Sequence, residues 1–364
     1  MSIYSRRVIS AGGRIVIAGG SGLIGTALCA SYRDAGYPVT RLVRRTPEQP
    51  DDVTWDPCAP DPALVDGAEV LINLAGAPLH GHRWTASYRE TIRASRVGTA
   101  HALARMAARA ERPPAKFLCA SGIRYYGIDR GDELLTERSA PGNGGLLPRV
   151  AHEWEAATDP ASAAGIAVCH LRLGLVLARE GGLLAALLPM FRLGLGARFG
   201  AGREYWSYVT LADAVDAFRF LSKRPDASGP YNVTAPEPVP SREFTAALGR
   251  AVRRPTRLRV PLAVLRPGFG GIATEVFGSL RVLPARLTAD GFVGRHADVD
   301  SAIRAALAGV PRTRLGPRVG PPTGERTGEP FGPPPDPPSG HISGRSLPPG
   351  RAPRPGTGTL GSAE

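Results

Sequence analysis

The chain has 364 residues, with 45 Lys plus Arg against 32 Asp plus Glu, a net charge of +13 and an apolar fraction of 43%, enough for a sizeable core. No run approaches the roughly 18 apolar residues of a membrane span, so no membrane partner is expected. The basic excess is scattered arginine, with Lys116 and Lys223 the only lysines, and no nucleic-acid motif accompanies it, so nucleic acid is not an expected partner either. Cys29, Cys58, Cys119 and Cys169 lie far apart without a CxxC pair or a His-rich companion, which reads as core thiols ahead of disulfides or a zinc site. With no secretory signal pattern at the start, the expected location is cytoplasmic.

Residues 1–13 are a short polar lead. Residues 14–18 (Arg-Ile-Val-Ile-Ala) form a compact run of β-branched side chains that suits a buried strand. A glycine-rich turn follows, then helical spacing over 26–32 that stops at Gly36, and a second strand at 38–43. Further strands are expected at 70–75, 116–121 and 168–172, with a long helix over about 87–110. Continuous apolar strands alternating with helices imply a parallel sheet covered on both faces. The fold class is therefore α/β, a Rossmann-type doubly wound parallel sheet over 14–240 that carries substrate-pocket insertions. A small C-terminal α/β lobe is expected over 241–310, its amphipathic stretch at 299–307 closing the core. Residues 311–364 hold 14 Pro and 11 Gly. Such a composition cannot bury enough apolar surface to offset chain entropy, so a disordered tail is expected.

The turn after the first strand reads Gly19-Gly20-Ser21-Gly22-Leu23-Ile24-Gly25. Gly19 permits the tight turn, Gly22 lets the backbone approach a pyrophosphate, and Gly25 lets the helix pack closely. The helix N-terminus adds unpaired N–H groups and a positive dipole. Placed between a strand and a helix, this is a dinucleotide-binding fingerprint. The second strand ends Val43-Arg44-Arg45, with no acid until Glu48. A carboxylate there would accept hydrogen bonds from the ribose 2′-hydroxyl of NAD, whereas a guanidinium pairs with a 2′-phosphate. NADP(H) is therefore expected ahead of NAD(H). Asp56 reads equally as an adenine neighbour or as a turn cap.

These segments resemble the extended short-chain dehydrogenase/reductase superfamily of the NAD(P)-dependent epimerase/dehydratase type. The matches are residues 18–25, Asn73-Leu74-Ala75-Gly76, and Ala120-Ser121 followed by Tyr125-Tyr126-Gly127. The chain is more closely similar to the bacterial YfcH-like epimerase subgroup, which carries a C-terminal domain of unknown function. That likeness rests on Arg83-Trp84, Ser95-Arg96, His152-Glu153-Trp154-Glu155, residues 199–203, Asp213, residues 231–236 and residues 281–287, and the whole resemblance spans about 14–308. It implies a dinucleotide at the carboxyl edge of the sheet, held also by Leu74, Ala75 and Gly76, and a substrate pocket capped by the C-terminal lobe.

The superfamily's chemistry normally rests on Tyr-x-x-x-Lys, in which the lysine lowers a phenol pKa of about 10. Aligned from Glu155, the two positions hold Leu147 and Ala151, so the pair is absent. Ser121 stands where the superfamily hydrogen-bonds a substrate carbonyl. Tyr125 and Tyr126 are the candidate proton donors, although no cation is evident beside either. His152 has a suitable intrinsic pKa, and equally reads as a solvated helix residue. Arg203, Tyr205, Trp206, Tyr208 and Asp213 cluster in sequence. The resemblance makes Arg203 and Trp206 pocket residues, and the alternative packs Trp206 and Tyr208 between the lobes.

Two functional classes follow. One is an NADP(H)-dependent oxidoreductase or epimerase acting on an unidentified small molecule, nucleotide-linked or free. The other is a non-catalytic NADPH-binding redox sensor or regulator. The substrate and the oligomeric state are not legible in the residues.

Overall fold

The structure is a computed structural model in which residues 12–79, 82–256, 258–260, 275 and 277–309 are described. The expected tail and most of the polar lead lie outside them. The first strand is Ile15–Ala18 (β1), wholly buried as an unbroken apolar run requires. Leu23–Asp34 (α1) follows, then the strands Val39–Val43 (β2), Asp52–Thr54 (β3) and Val70–Asn73 (β4). The long helix is Ala86–Arg109 (α2), which starts at Thr85, whose hydroxyl accepts the Tyr88 N–H as an N-cap.

Beyond it lie Lys116–Gly122 (β5), Leu134–Leu135 (β6), Leu146–Ala156 (α3), Asp159–Ala163 (α4) and Ala167–Leu173 (β7). The chain continues through Leu175–Leu177 (β8), Gly182–Arg192 (α5), Ala197–Phe199 (β9), Tyr205–Trp206 (β10), Tyr208–Thr210 (β11) and Leu211–Lys223 (α6). Gly229–Val233 (β12), Val239–Pro240 (β13), Ser241–Ala251 (α7), Leu258–Val260 (β14), Arg281–Val282 (β15), Ala285–Ala289 (α8) and Val299–Ala308 (α9) complete the order.

Seven strands form one sheet in the order β3-β2-β1-β4-β5-β7-β12, every adjacent pair parallel. This is the doubly wound Rossmann sheet expected. Helix α2 packs with α3 and α4, and α1 packs with α6. The order reverses between β1 and β4, whose ends Ala18 and Asn73 stand in register. Connections leave such a point in opposite directions and open a crevice above the strand ends, where open α/β sheets take their ligands.

A second core lies beside the sheet. Leu177, Leu184, Phe191, Trp206 and Tyr208 pack there with Phe244, Leu248, Phe277 and Ile303. It draws on both sides of residue 240, so the C-terminal elements share their interior with the strands and helix just before them. Helix α9 buries Val299, Ala302, Ile303 and Ala306, the face expected of its amphipathic pattern.

Candidate cofactor and active site

The glycine turn leaves β1 at the switch point. Gly19 has φ +81, and a Cβ there would lie 2.5 Å from the Leu74 carbonyl carbon and 2.6 Å from the Ala75 nitrogen. The turn therefore touches the backbone leaving β4, which is held by the Leu74 N–H donating 2.8 Å to the Ala18 carbonyl. A Cβ on Gly25 would fall 2.2 Å from the Gly19 carbonyl oxygen, so α1 sits directly on the turn. Gly22, by contrast, meets only the Gly19 oxygen at 3.5 Å, ordinary contact. Gly22 is the N-cap of α1, with no capping side chain, and the first turn of the helix carries no acid. Ser21 and Gly22 are exposed, and Leu23 and Ile24 are half-buried. A helix start of this kind is suited to a phosphate. Leu74 and Ala75 are half-buried and Gly76 is exposed on the opposite side of the crevice.

The end of β2 is more crowded than its sequence suggests. Arg44 is exposed just beyond the strand. Arg45 is drawn into a local network, donating to the Thr46 carbonyl at 2.9 Å and pairing with Glu48 and Asp52, each at 3.3 Å. Asp52 also pairs with the buried Arg41 at 2.8 Å. No acid stands between the end of β2 and Glu48, yet the neighbouring strand supplies one. Register puts Asp52 opposite Arg41, a placement invisible without the β2–β3 pairing. Arg45 is thus partly neutralised by its own chain, and Arg44 is the more exposed guanidinium of the two.

The expected catalytic residues converge on a buried polar network. Ser121 is 3% exposed and donates its hydroxyl hydrogen to Glu155 Oε1 at 2.8 Å. The same carboxylate takes two hydrogen bonds from Arg172, Nε to Oε1 and Nη2 to Oε2, both 2.8 Å. The Ser121 hydroxyl is thus turned inward, onto the Glu155 carboxylate. Tyr126 is completely buried, donates to Asn232 Oδ1 at 2.8 Å and accepts from Arg172 at 2.9 Å. Burial, only partly offset by Arg172, pushes its phenol up to about 12. Both of its hydrogen-bond partners are internal, so Tyr126 braces the segment after β5 against β7 and β12.

Tyr125 is placed differently. It is half-buried, with the Arg172 guanidinium carbon 3.4 Å from its ring centroid. The cation missing from the local sequence thus comes from β7. His152 packs edge-on against Tyr125 at 4.7 Å, and its Nε2 donates to the Tyr125 backbone carbonyl at 2.9 Å. It holds Tyr125 in place and is not the solvated residue that was one of its two expectations. Leu147 and Ala151 are buried on α3, Leu147 among Trp84, Ile92 and Val150, so core packing occupies the positions of the absent pair. Lys116 is buried at the opposite end of its strand, bonded to the carbonyls of Arg224 and Ala227.

Trp206 is 2% exposed, its ring 5.2 Å from Phe244 and 5.5 Å from Phe277. It lies in the second core, the packing alternative of its two expectations, while Arg203 is exposed four residues after Phe199. Asp213 accepts from the Thr210 hydroxyl at 2.8 Å and from the Arg295 N–H at 2.7 Å, tying the start of α6 to the loop before α9. A cavity of about 440 Å³ lies on the other flank of α1, among Ser31, Leu177, Val215 and Arg219, and none of its walls comes from the glycine turn.

Sequence reasoning missed Arg172 and Glu155 as partners. An arginine in a mostly apolar strand was the available signal, because such a charge demands a buried counter-ion.

Comparison with known proteins agrees with this architecture. The profile of the NAD dependent epimerase/dehydratase family matches residues 15–234, and that of a domain of unknown function, DUF1731, matches 260–306. An epimerase family protein of Mycobacterium bovis is 38% identical over 292 residues, covering 79% of this chain and 96% of its own. The mouse epimerase family protein SDR39U1 is 31% identical, with 81% and 100% covered. The crystal structure of human SDR39U1 with NADPH superposes with a TM-score of 0.75 at 26% identity, over 82% of this chain and all of that one. A nucleoside-diphosphate sugar epimerase from Corynebacterium glutamicum gives 0.68 at 34% identity, over 81% of this chain and 58% of that one. With its switch-point glycine turn, doubly wound sheet and these relatives, the chain belongs to the NAD(P)-binding NAD dependent epimerase/dehydratase family, in the epimerase subgroup that carries the DUF1731 domain.

Proposed function

We propose that this chain binds NADP(H) at the switch point and uses it in an oxidoreductase or epimerase reaction on a small molecule, nucleotide-linked or free. The observation that carries the cofactor is the uncapped, acid-free start of α1 beside the exposed Gly22, facing the backbone of Leu74 and Ala75. Exposed Arg44 supports the phosphorylated cofactor, as does the presence of NADPH in the human relative's structure. Gly19, Ser21, Gly22, Leu23, Ile24 and Gly25 would hold the pyrophosphate, Arg44 and in part Arg45 the 2′-phosphate, and Leu74, Ala75 and Gly76 the opposite side. The nicotinamide, when bound, supplies or takes up a hydride. Tyr125 is the chain's group for the accompanying proton, held in place by Arg172 beneath its ring and by His152 at its edge.

The second reading, a non-catalytic NADPH-binding sensor or regulator, is favoured by one specific observation: Ser121 and Tyr126 are locked inside and Leu147 and Ala151 are core. NADPH oxidation against a panel of carbonyl substrates separates the two. Turnover that Tyr125→Phe abolishes while NADPH binding persists supports the enzyme. Tight NADPH binding with no turnover across the panel supports the sensor. For the cofactor, Arg44→Ala should weaken NADPH about tenfold or more and leave NADH unchanged. Equal loss for both, or none for either, would remove the phosphate role of Arg44.

A further inference from the structure

The described surface exposes few large apolar side chains, and four of them gather at one edge. Leu193 is 75% exposed, Leu195 54%, Leu258 47% and Met190 36%. Chain pairing makes them neighbours. Met190 lies in the last turn of α5, Leu193 and Leu195 lie in the turn after it, and Leu258 stands opposite Ala197 in the β9–β14 pair. The turn is built and not frayed. Leu193, Gly194 and Leu195 donate to the carbonyls of Pro189, Phe191 and Met190 at 3.2, 3.0 and 3.0 Å. Phe191 is fully buried beneath the turn, against Gly196, where a Cβ would come within 2.9 Å of its ring. The leucines therefore project outward from a fixed base, with their backbone already satisfied.

The two chain segments that carry them hold charge of one sign. The sequence has no Asp or Glu between Glu180 and Glu204, and none between Glu243 and Glu275, while these two stretches hold three and six arginines. Exposed Arg192 precedes Leu193, and exposed Arg253 and Arg254 precede β14. Arg254 Nε donates to the Arg192 carbonyl at 3.1 Å, which brings the two stretches together. Arg250, near the end of α7, is paired with Asp300 at 2.7 Å and is left out of the patch.

We infer that this edge docks the protein on an anionic lipid surface, with Leu193, Leu195 and Leu258 entering the headgroup boundary and Arg192, Arg253 and Arg254 meeting lipid phosphates. Projecting aliphatic side chains ringed by arginine, with no carboxylate among them, suit that partner. A second copy of the chain suits it poorly, because a twofold contact would set the same arginines against each other. The expectation of no membrane partner rested on the lack of a spanning segment. Among the described residues no helix is long and apolar enough to cross a membrane, and a peripheral dock needs none. The inference is independent of the proposed cofactor chemistry.

Sedimentation of the full chain with vesicles tests it. The protein should pellet with phosphatidylcholine vesicles that contain phosphatidylglycerol and stay in solution with phosphatidylcholine alone. Leu193→Ser/Leu195→Ser and Arg192→Ser/Arg254→Ser should each lower partition about tenfold or more. Arg89→Ser/Arg109→Ser, which removes the same charge from exposed positions on α2, should leave partition essentially unchanged. Thermal melting checks that every variant is folded. The inference is overturned if the wild-type chain ignores the anionic vesicles, if the leucine variant binds as well as wild type, or if the α2 pair matters equally. Lipid-free self-association that the leucine variant abolishes would also overturn it, by making a second copy the occupant.

Discussion

Arg172 is 3% exposed in a strand of the central sheet, and its charge is held there by Glu155. Burial works against that charge, but the carboxylate outweighs it and raises the guanidinium pKa. Breaking a buried pair leaves the remaining charge uncompensated at a cost of about 3–5 kcal/mol. Glu155→Ala should therefore destabilise by roughly that amount in chemical denaturation. Ser121→Ala removes one neutral-to-charged hydrogen bond and should cost about 1.5–3 kcal/mol with no change in NADPH affinity. A large fall in NADPH affinity for Ser121→Ala would return Ser121 to the open crevice. His170 adds a pH dependence. Burial lowers its pKa, while the Thr158 hydroxyl lies 2.8 Å from its Nε2. The unfolded chain then takes up the proton first, at about 6.5. Stability is full above that pH and is lost as pH falls through the folded pKa. His170→Gln should flatten the fall in melting temperature between neutral and mildly acidic pH, and an unchanged slope would exonerate His170.

At the scale of elements, α1 and α3 answer to their first turns. A Gly25→Ala methyl would have to displace the Gly19 carbonyl, only 2.2 Å away, so α1 must lift from the turn. Overpacking of this kind costs about 1–3 kcal/mol. NADPH affinity should fall with it, measurable by titration alongside the melting curve. Helix α3 starts after Gly145 and is capped by Glu275, whose carboxylate accepts the N–H groups of Leu146 at 3.0 Å and Leu147 at 2.7 Å. Glu275→Ala should cost about 1 kcal/mol through the lost cap, read by denaturation. The first of these features was legible in the sequence, because glycine spacing between a strand and a helix carries its own geometry. The second was not, since 128 residues separate Glu275 from Leu147. Asp52 and Arg172 were hidden for the same reason. Each acts through a neighbour that only sheet register or a helix crossing supplies. The two- and three-residue strands β6, β8 and β10 carry too few positions for any periodicity to show.

For the whole molecule, the Rossmann sheet could be read from its apolar strands, whereas the second core, which draws on residues from both sides of position 240, could not. Trp206 and Tyr208 alternate with Ser207, a pattern that a pocket wall and an interior strand share, and packing against Phe244 is what separates the two. The consequence is a test of cooperativity. A chain ending at Pro240 would lose Phe244, Leu248, Phe277 and Ile303 from the second core. It would uncover Leu184, Phe191, Trp206 and Tyr208, all 2% exposed or less in the complete fold. Each such side chain contributes about 1.5–3 kcal/mol by burial, while a domain's net stability is only about 5–15 kcal/mol. Exposing four of them therefore removes most or all of that margin, even though the seven-stranded sheet is left complete in sequence. The shortened chain should show weakened near-ultraviolet circular dichroism, strong binding of an apolar dye and aggregation on size exclusion. A monomeric, cooperatively melting product would instead mean that the sheet stabilises itself and that the shared core serves only the lobe.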